Sequence, residues 1–208
     1  ETLLPDVGAV AIQGPRGVGK TETAMRRAVT VHAFDDPVAG AVLAADPRRV
    51  VLGDPPVLLD EWQLLPASWD VVRRAVDRGE GPFLLTGSST PVDRPTHSGA
   101  GRIVTVRMRP MSIAERQVSA PTVRLAELLM GDRPDLSGRC DLELRDYADL
   151  IVGSGLPWAR TLPTVAREAQ LDGYVDRIVE SDIEDAGLAV RRPETLRRWL
   201  RAFAAATS

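Results

Sequence analysis

Gly14-Pro15-Arg16-Gly17-Val18-Gly19-Lys20-Thr21 fits the pattern G-x-x-x-x-G-K-S/T at every fixed position. Such a loop wraps a phosphate closely, because glycines let several backbone N–H groups turn inward. Lys20 would reach the β- and γ-phosphates, and the Thr21 hydroxyl would ligate magnesium. The apolar run Val7–Gln13 stops at Gly14, and a helix is expected from Thr21. That helix would add the positive end of its dipole to the same phosphate. The setting between strand and helix separates the motif from a chance glycine-rich turn. The nucleotide cradle is therefore read as Gly14, Pro15, Arg16, Gly17, Val18, Gly19, Lys20, Thr21 and the following Glu22.

Lys20 is the only lysine of the chain; every other strongly basic residue is arginine. A compact ammonium kept at this one position points to a chemical demand there. A second acidic signal fits the first. Val57-Leu58-Leu59 is a short apolar strand that ends in Asp60-Glu61. Open α/β sheets bind ligands at the carboxyl ends of their strands. Asp60 would hold the magnesium shell, and Glu61 would polarise the attacking water as a general base. Phe83-Leu84-Leu85 leads likewise into Thr86-Gly87-Ser88-Ser89. A hydroxyl there could reach the γ-phosphate or the water, with Ser88 preferred over Thr86. A polar strand end with a capping serine is the alternative.

The elements that must position these residues alternate in type. Strands are expected at 7–13, 31–34, 57–59, 83–85 and 103–108, with helices at 21–31, at 38–45 and from Pro66 or Ser68 onward. This alternation predicts an α/β fold with a central parallel five-stranded sheet flanked by helices. After Pro110 the pattern turns helical, at about 122–130, 141–152, 162–185 and 193–206. The expected division is an α/β core over 1–110 and a smaller helical lid over 111–208. The sequence opens almost on its first core strand and closes in a promising helix. A fragment of a longer protein, continuing into a C-terminal domain, is expected.

Bulk properties narrow the classes. The formal net charge is −3, so nothing forces a nucleic-acid or membrane partner. Arg191, Arg192, Arg197, Arg198 and Arg201 form one local basic candidate. Cys140 is the single cysteine, which excludes an internal disulfide and a thiolate zinc cluster. His32 and His97 stand far apart without a cysteine partner. No apolar run approaches the roughly 20 residues of a membrane helix, and the first residues, Glu1-Thr2-Leu3-Leu4-Pro5, carry no basic n-region and no signal-like core. The chain reads as cytoplasmic.

The order of the phosphate loop, the Asp60-Glu61 strand end, the Thr86-Gly87-Ser88 strand end, Gly101-Arg102-Ile103 and Met108-Arg109-Pro110-Met111-Ser112-Ile113-Ala114-Glu115 resembles the AAA+ class of P-loop ATPases. Within it the chain resembles bacterial and archaeal ATPases that carry a further C-terminal domain of uncharacterised role. It also resembles the signalling (STAND) branch, in which a Gly-x-Pro turn packs on the base and sugar of the nucleotide. Gly155-Leu156-Pro157 sits where that turn should fall, which would place Pro157 against the nucleotide; a plain helix break, since proline often opens a helix, is the alternative. Where that branch places an arginine after the fourth strand, this chain has Ser88 and Ser89. The resemblance implies ATP and Mg2+ as cofactors and ATP or ADP as ligand. It offers Arg102 as an arginine finger for a neighbouring subunit of a homo-oligomer, with a plain surface arginine as the alternative in a chain so rich in arginine. Nucleic acid would be a partner only through the missing C-terminal domain.

Asp135-Leu136-Ser137-Gly138 echoes the signature of transporter ATPases, but there the signature precedes the Asp-Glu strand and here it follows. The base-reading Asn-Lys-x-Asp of GTPases cannot occur in a chain without asparagine. The leading function is an ATP-hydrolysing switch or motor. A small-molecule kinase and a non-catalytic nucleotide-binding assembly module are the alternatives. Glu61 beside Asp60 favours water over another phosphate acceptor.

Overall fold

The computed structural model describes residues 3–87, 98–118, 123–131, 133, 140–185 and 187–206. Two compact units result: Glu1–Arg109 with Asp172–Ser208, and Pro110–Leu171. The helical stretch expected as one lid over 111–208 is thus divided, and its last part groups with the sheet.

The first unit is built on five strands: β1 (Ala9–Gln13), β2 (Thr30–Ala33), β3 (Val57–Asp60), β4 (Phe83–Gly87) and β5 (Ile103–Arg107). All pairings are parallel, in the order β2-β3-β4-β1-β5. The expected α/β five-stranded sheet is present. Its inner strands are buried on both faces, which explains their near-continuous apolar sequences. Ala9, Ala11, Val57, Leu59, Phe83 and Leu85 pack on one side with Trp62, Trp69, Val72 and Ala75. Val10, Ile12, Leu58 and Leu84 pack on the other side with Ala24. The alternation within each strand follows from the two-residue period of side-chain direction. Each fully buried leucine contributes about 1.5–3 kcal/mol relative to exposure.

Helices α1 (Lys20–Met25), α2 (Pro37–Ala45) and α3 (Ala67–Asp77) connect the strands. The Asp36 carboxylate caps α2, accepting from Val38 N at 2.8 Å and Ala39 N at 2.9 Å. α1 is shorter than the expected 21–31. The β-branched run Val29-Thr30-Val31 leaves the helix to join the sheet, with Val29 N donating to the Pro56 carbonyl at 2.9 Å and Thr30 in register with Val57.

In the second unit, α4 (Leu125–Leu129), α5 (Leu144–Val152) and the first half of α6 (Thr164–Arg177) are helical. α6 runs on through a π-helical turn, Ile178–Asp182, into the short α7 (Ile183–Asp185). α8 spans Pro193–Ala206. Ser88, Ser89, His97 and Asp135-Leu136-Ser137-Gly138 lie outside the described residues. No helix among those described is long and apolar enough to cross a membrane.

Candidate active site

The sheet register brings the expected residues to one edge. Gln13 ends β1 beside Gly87, Ile12 pairs with Thr86, and Asp60 pairs with Thr86 from the other side. The loop after β1 therefore emerges next to the carboxylate at the end of β3. Gly14 has to be glycine here. A Cβ on it would lie 2.3 Å from the Met108 carbonyl oxygen, which is backbone and cannot swing aside. Gly17 and Gly19 take φ values of 71° and 99°, and Gly19 stands immediately before α1.

Lys20 is buried, and its Nζ donates to the carbonyls of Gly14 at 2.9 Å and Pro15 at 3.0 Å. Burial lowers its pKa from the ordinary lysine value; Glu61 and Asp60 oppose that shift, and Arg16 adds to it. The ammonium thus bends back over its own loop, within the field of two carboxylates. Asp60, also buried, accepts at Oδ1 from the Thr21 hydroxyl at 2.8 Å and from the hydroxyl of Thr86. A cleft of about 500 Å³ opens beside this cluster, lined by Arg16, Gly17, Gly19, Lys20, Thr21, Glu22 and Glu61 among others.

The Thr86–Asp60 contact predicts a stability effect. Thr86 has no exposed surface, and a hydrogen bond to a charged group contributes about 1.5–3 kcal/mol. Thr86→Val keeps the shape and removes the donor, while Thr21 still serves Asp60. Urea unfolding is expected to show a loss of about 1–2 kcal/mol. A midpoint equal to the wild type would remove Thr86 from the list of groups that fix Asp60.

A model of the AAA domain family matches residues 7–117, just over half of the chain. The chain belongs to the AAA domain family. It is a nucleotide-binding module of the P-loop ATPase type. No curated protein matches it.

Of the expected residues, Arg16, Gly17, Gly19, Lys20, Thr21, Glu22 and Glu61 line the cleft, and Asp60 is bonded to Thr21 at its side, while Gly14, Pro15 and Val18 do not line it. Other expected residues stand elsewhere. Arg102 precedes β5, whose first residue pairs with the first residue of β1. It therefore lies at the strand-start edge, opposite Lys20 and Asp60 in the same chain. Its Nε donates to Asp77 at 2.7 Å and its Nη1 to the Ala100 carbonyl at 3.2 Å. Pro157 opens a three-ten turn, Pro157–Thr161, in the second unit. There Met111 N donates to the Gly155 carbonyl at 2.7 Å. A Cβ on Gly155 would lie 2.8 Å from the Met111 carbonyl oxygen. Pro110-Met111 and Gly155, one from each of the two family-like segments, are thus packed on each other.

Sequence reasoning missed two partners of the Gly14–Thr21 loop. The Tyr174 hydroxyl donates to the Arg16 carbonyl at 3.1 Å, and Arg16 Nη1 lies 2.8 Å from Asp182 Oδ1. Burial raises the pKa of the Tyr174 phenol, with Asp182 reinforcing and Arg16 opposing, so it remains a donor at neutral pH. Asp182 closes the π-helical turn, an irregularity often found at functional positions. The turn itself was the signal available in principle, but nothing in the local sequence distinguishes it from a regular helix.

Proposed function

We propose that this AAA domain binds Mg2+–ATP at the cleft beside Lys20 and hydrolyses it, using the change of nucleotide as a conformational switch. The observation that carries this reading is the bonded cluster of Thr21, Asp60 and Thr86 beside the Lys20 ammonium and the Glu61 carboxylate. The loop N–H groups and Lys20 hold the β- and γ-phosphates. Thr21 and Asp60 are hard oxygen donors suited to magnesium. Magnesium is usually held by one or two carboxylates together with substrate phosphates rather than by an all-protein cage. When bound, the ion would neutralise charge on the phosphate oxygens. Glu61 takes a proton from the attacking water, and Lys20 stabilises charge on the leaving phosphates.

Pro157 is proposed, on sequence alone, as a contact of the base. Arg102 enters this reading only as a residue offered to a neighbouring copy. The test of binding is calorimetry with ATP in the presence of magnesium and of a chelator. Saturable binding that weakens when magnesium is withdrawn is expected. Affinity unaffected by both magnesium and Lys20→Ala would refute the proposal.

The switch reading has its own support in the Arg16 contacts. Phosphate at the loop would compete with Asp182 for the Arg16 guanidinium, so the segment 172–185 would respond to nucleotide. Hydrogen exchange in that segment is expected to change when ATP is added to the wild type. In Asp182→Asn the response should be much reduced. The mutant should lose no more than about 1 kcal/mol of stability, because a partly exposed ion pair contributes little. An undiminished response would show that Asp182 does not report the loop.

A further inference from the structure

We propose that Gln63 is a positioning residue for Glu61, holding one carboxylate oxygen so that the other faces the attacking water. The inference rests on the hydrolytic reading above and extends it to a residue outside the phosphate loop and the Asp60-Glu61 pair.

Glu61 sits on unusual backbone, with φ 54° and ψ 42° in the left-handed region. A non-glycine residue enters that region infrequently. The chain then makes a three-ten turn, Trp62–Leu64. Trp62 anchors the turn: it is 3% exposed, and its ring lies 4.8 Å from that of Trp69 on α3. The turn carries Gln63 back toward Glu61, and Gln63 Nε2 donates to Glu61 Oε2. Chemistry fixes the orientation of the amide. An ionised carboxylate only accepts, so the nitrogen must face it.

The other end of the amide is confined. Gln63 Oε1 is buried and has no hydrogen-bond partner among the described residues. It rests against Gly87 at the end of β4, where a Cβ would lie 2.5 Å from it. Among the described residues, the polar partner of this amide is therefore Glu61. Gln63 also lines the cleft together with Lys20, Thr21 and Glu61. The strand end that supplies Thr86 to Asp60 thus packs, through Gly87, on the residue that holds Glu61.

In the step this serves, one O–H bond of water breaks and the proton passes to Glu61. The water oxygen forms a bond to the γ-phosphorus. The bond from that phosphorus to the bridging oxygen breaks, and ADP leaves with the electron pair. Gln63 touches neither the water nor the phosphate in this account and acts through the carboxylate alone. With Gln63 absent, Glu61 would turn freely, and a misplacement of that kind costs on the order of a hundredfold in rate.

The experiment compares wild type, Gln63→Leu, Glu61→Gln and the double variant, measuring ATP affinity by calorimetry and phosphate release. Gln63→Leu is expected to slow turnover by about tenfold to a hundredfold with ATP affinity nearly unchanged. In the Glu61→Gln background the same substitution should add little, because interacting residues are not additive. A readout independent of turnover uses nucleotide-free protein: the side-chain amide signals of Gln63 in a nitrogen-15 spectrum should move in Glu61→Gln. Gln63→Met replaces Gln63→Leu if the latter fails to fold. The inference is overturned by wild-type turnover in Gln63→Leu, by an equal loss in both backgrounds, or by unmoved amide signals. Wild-type protein that binds ATP and releases no phosphate overturns the hydrolytic reading and this inference together.

Discussion

Lys20→Ala is expected to weaken Mg2+–ATP binding on the order of a hundredfold, through loss of charge-assisted bonds to phosphate. The side chain is buried, and its Nζ is already placed by the carbonyls of Gly14 and Pro15. It can exchange those carbonyls for phosphate oxygens with little reorganisation. ADP, which lacks the γ-phosphate, should lose less affinity than ATP. The fold should survive, because burial already disfavours the ammonium and alanine is well tolerated near the start of a helix. Calorimetry on a variant with unchanged circular dichroism makes the measurement. Equal ATP affinity in wild type and variant would remove Lys20 from the phosphate site.

The second large effect concerns turnover. Glu61→Gln keeps the size of the side chain and removes the proton acceptor. General-base catalysis contributes about 10²- to 10⁴-fold, so phosphate release should fall by that order. ATP binding should persist, because Lys20, Thr21 and Asp60 are untouched. The variant would then hold intact ATP, which makes it useful for trapping the nucleotide-bound state. Equal rates of release in the two proteins would assign water activation to another residue.

The parts of this site that could be read from the sequence are local ones. Gly14 to Thr21 is a contiguous backbone device, and the residue types that the proposed phosphate site asks of it follow from the shape of that group. Asp60 and Glu61 could be proposed because a short apolar strand delivers them to the carboxyl-end edge of a parallel sheet. The same logic located all five strands. It overran at α1, because helical continuity was extended over Val29-Thr30-Val31, where pairing with β3 prevailed. Long-range contacts were not legible. Thr86 reaches Asp60 because the register of β3 and β4 aligns them, and register depends on the whole sheet. Tyr174 and Asp182 meet Arg16 from the far end of the chain. Gln63 lay two residues beyond Glu61, yet only the left-handed backbone and the following turn bring its amide to the carboxylate.

Single-turnover hydrolysis separates an ATPase from a module that only binds the nucleotide. The protein is mixed in excess with Mg2+–ATP carrying a labelled γ-phosphate, and the label is followed over time. Wild type should convert bound ATP to ADP and free inorganic phosphate, while Glu61→Gln keeps ATP bound and intact. Wild-type protein that binds the nucleotide tightly and leaves it unbroken, or that passes the label to an acceptor other than water, would contradict the account.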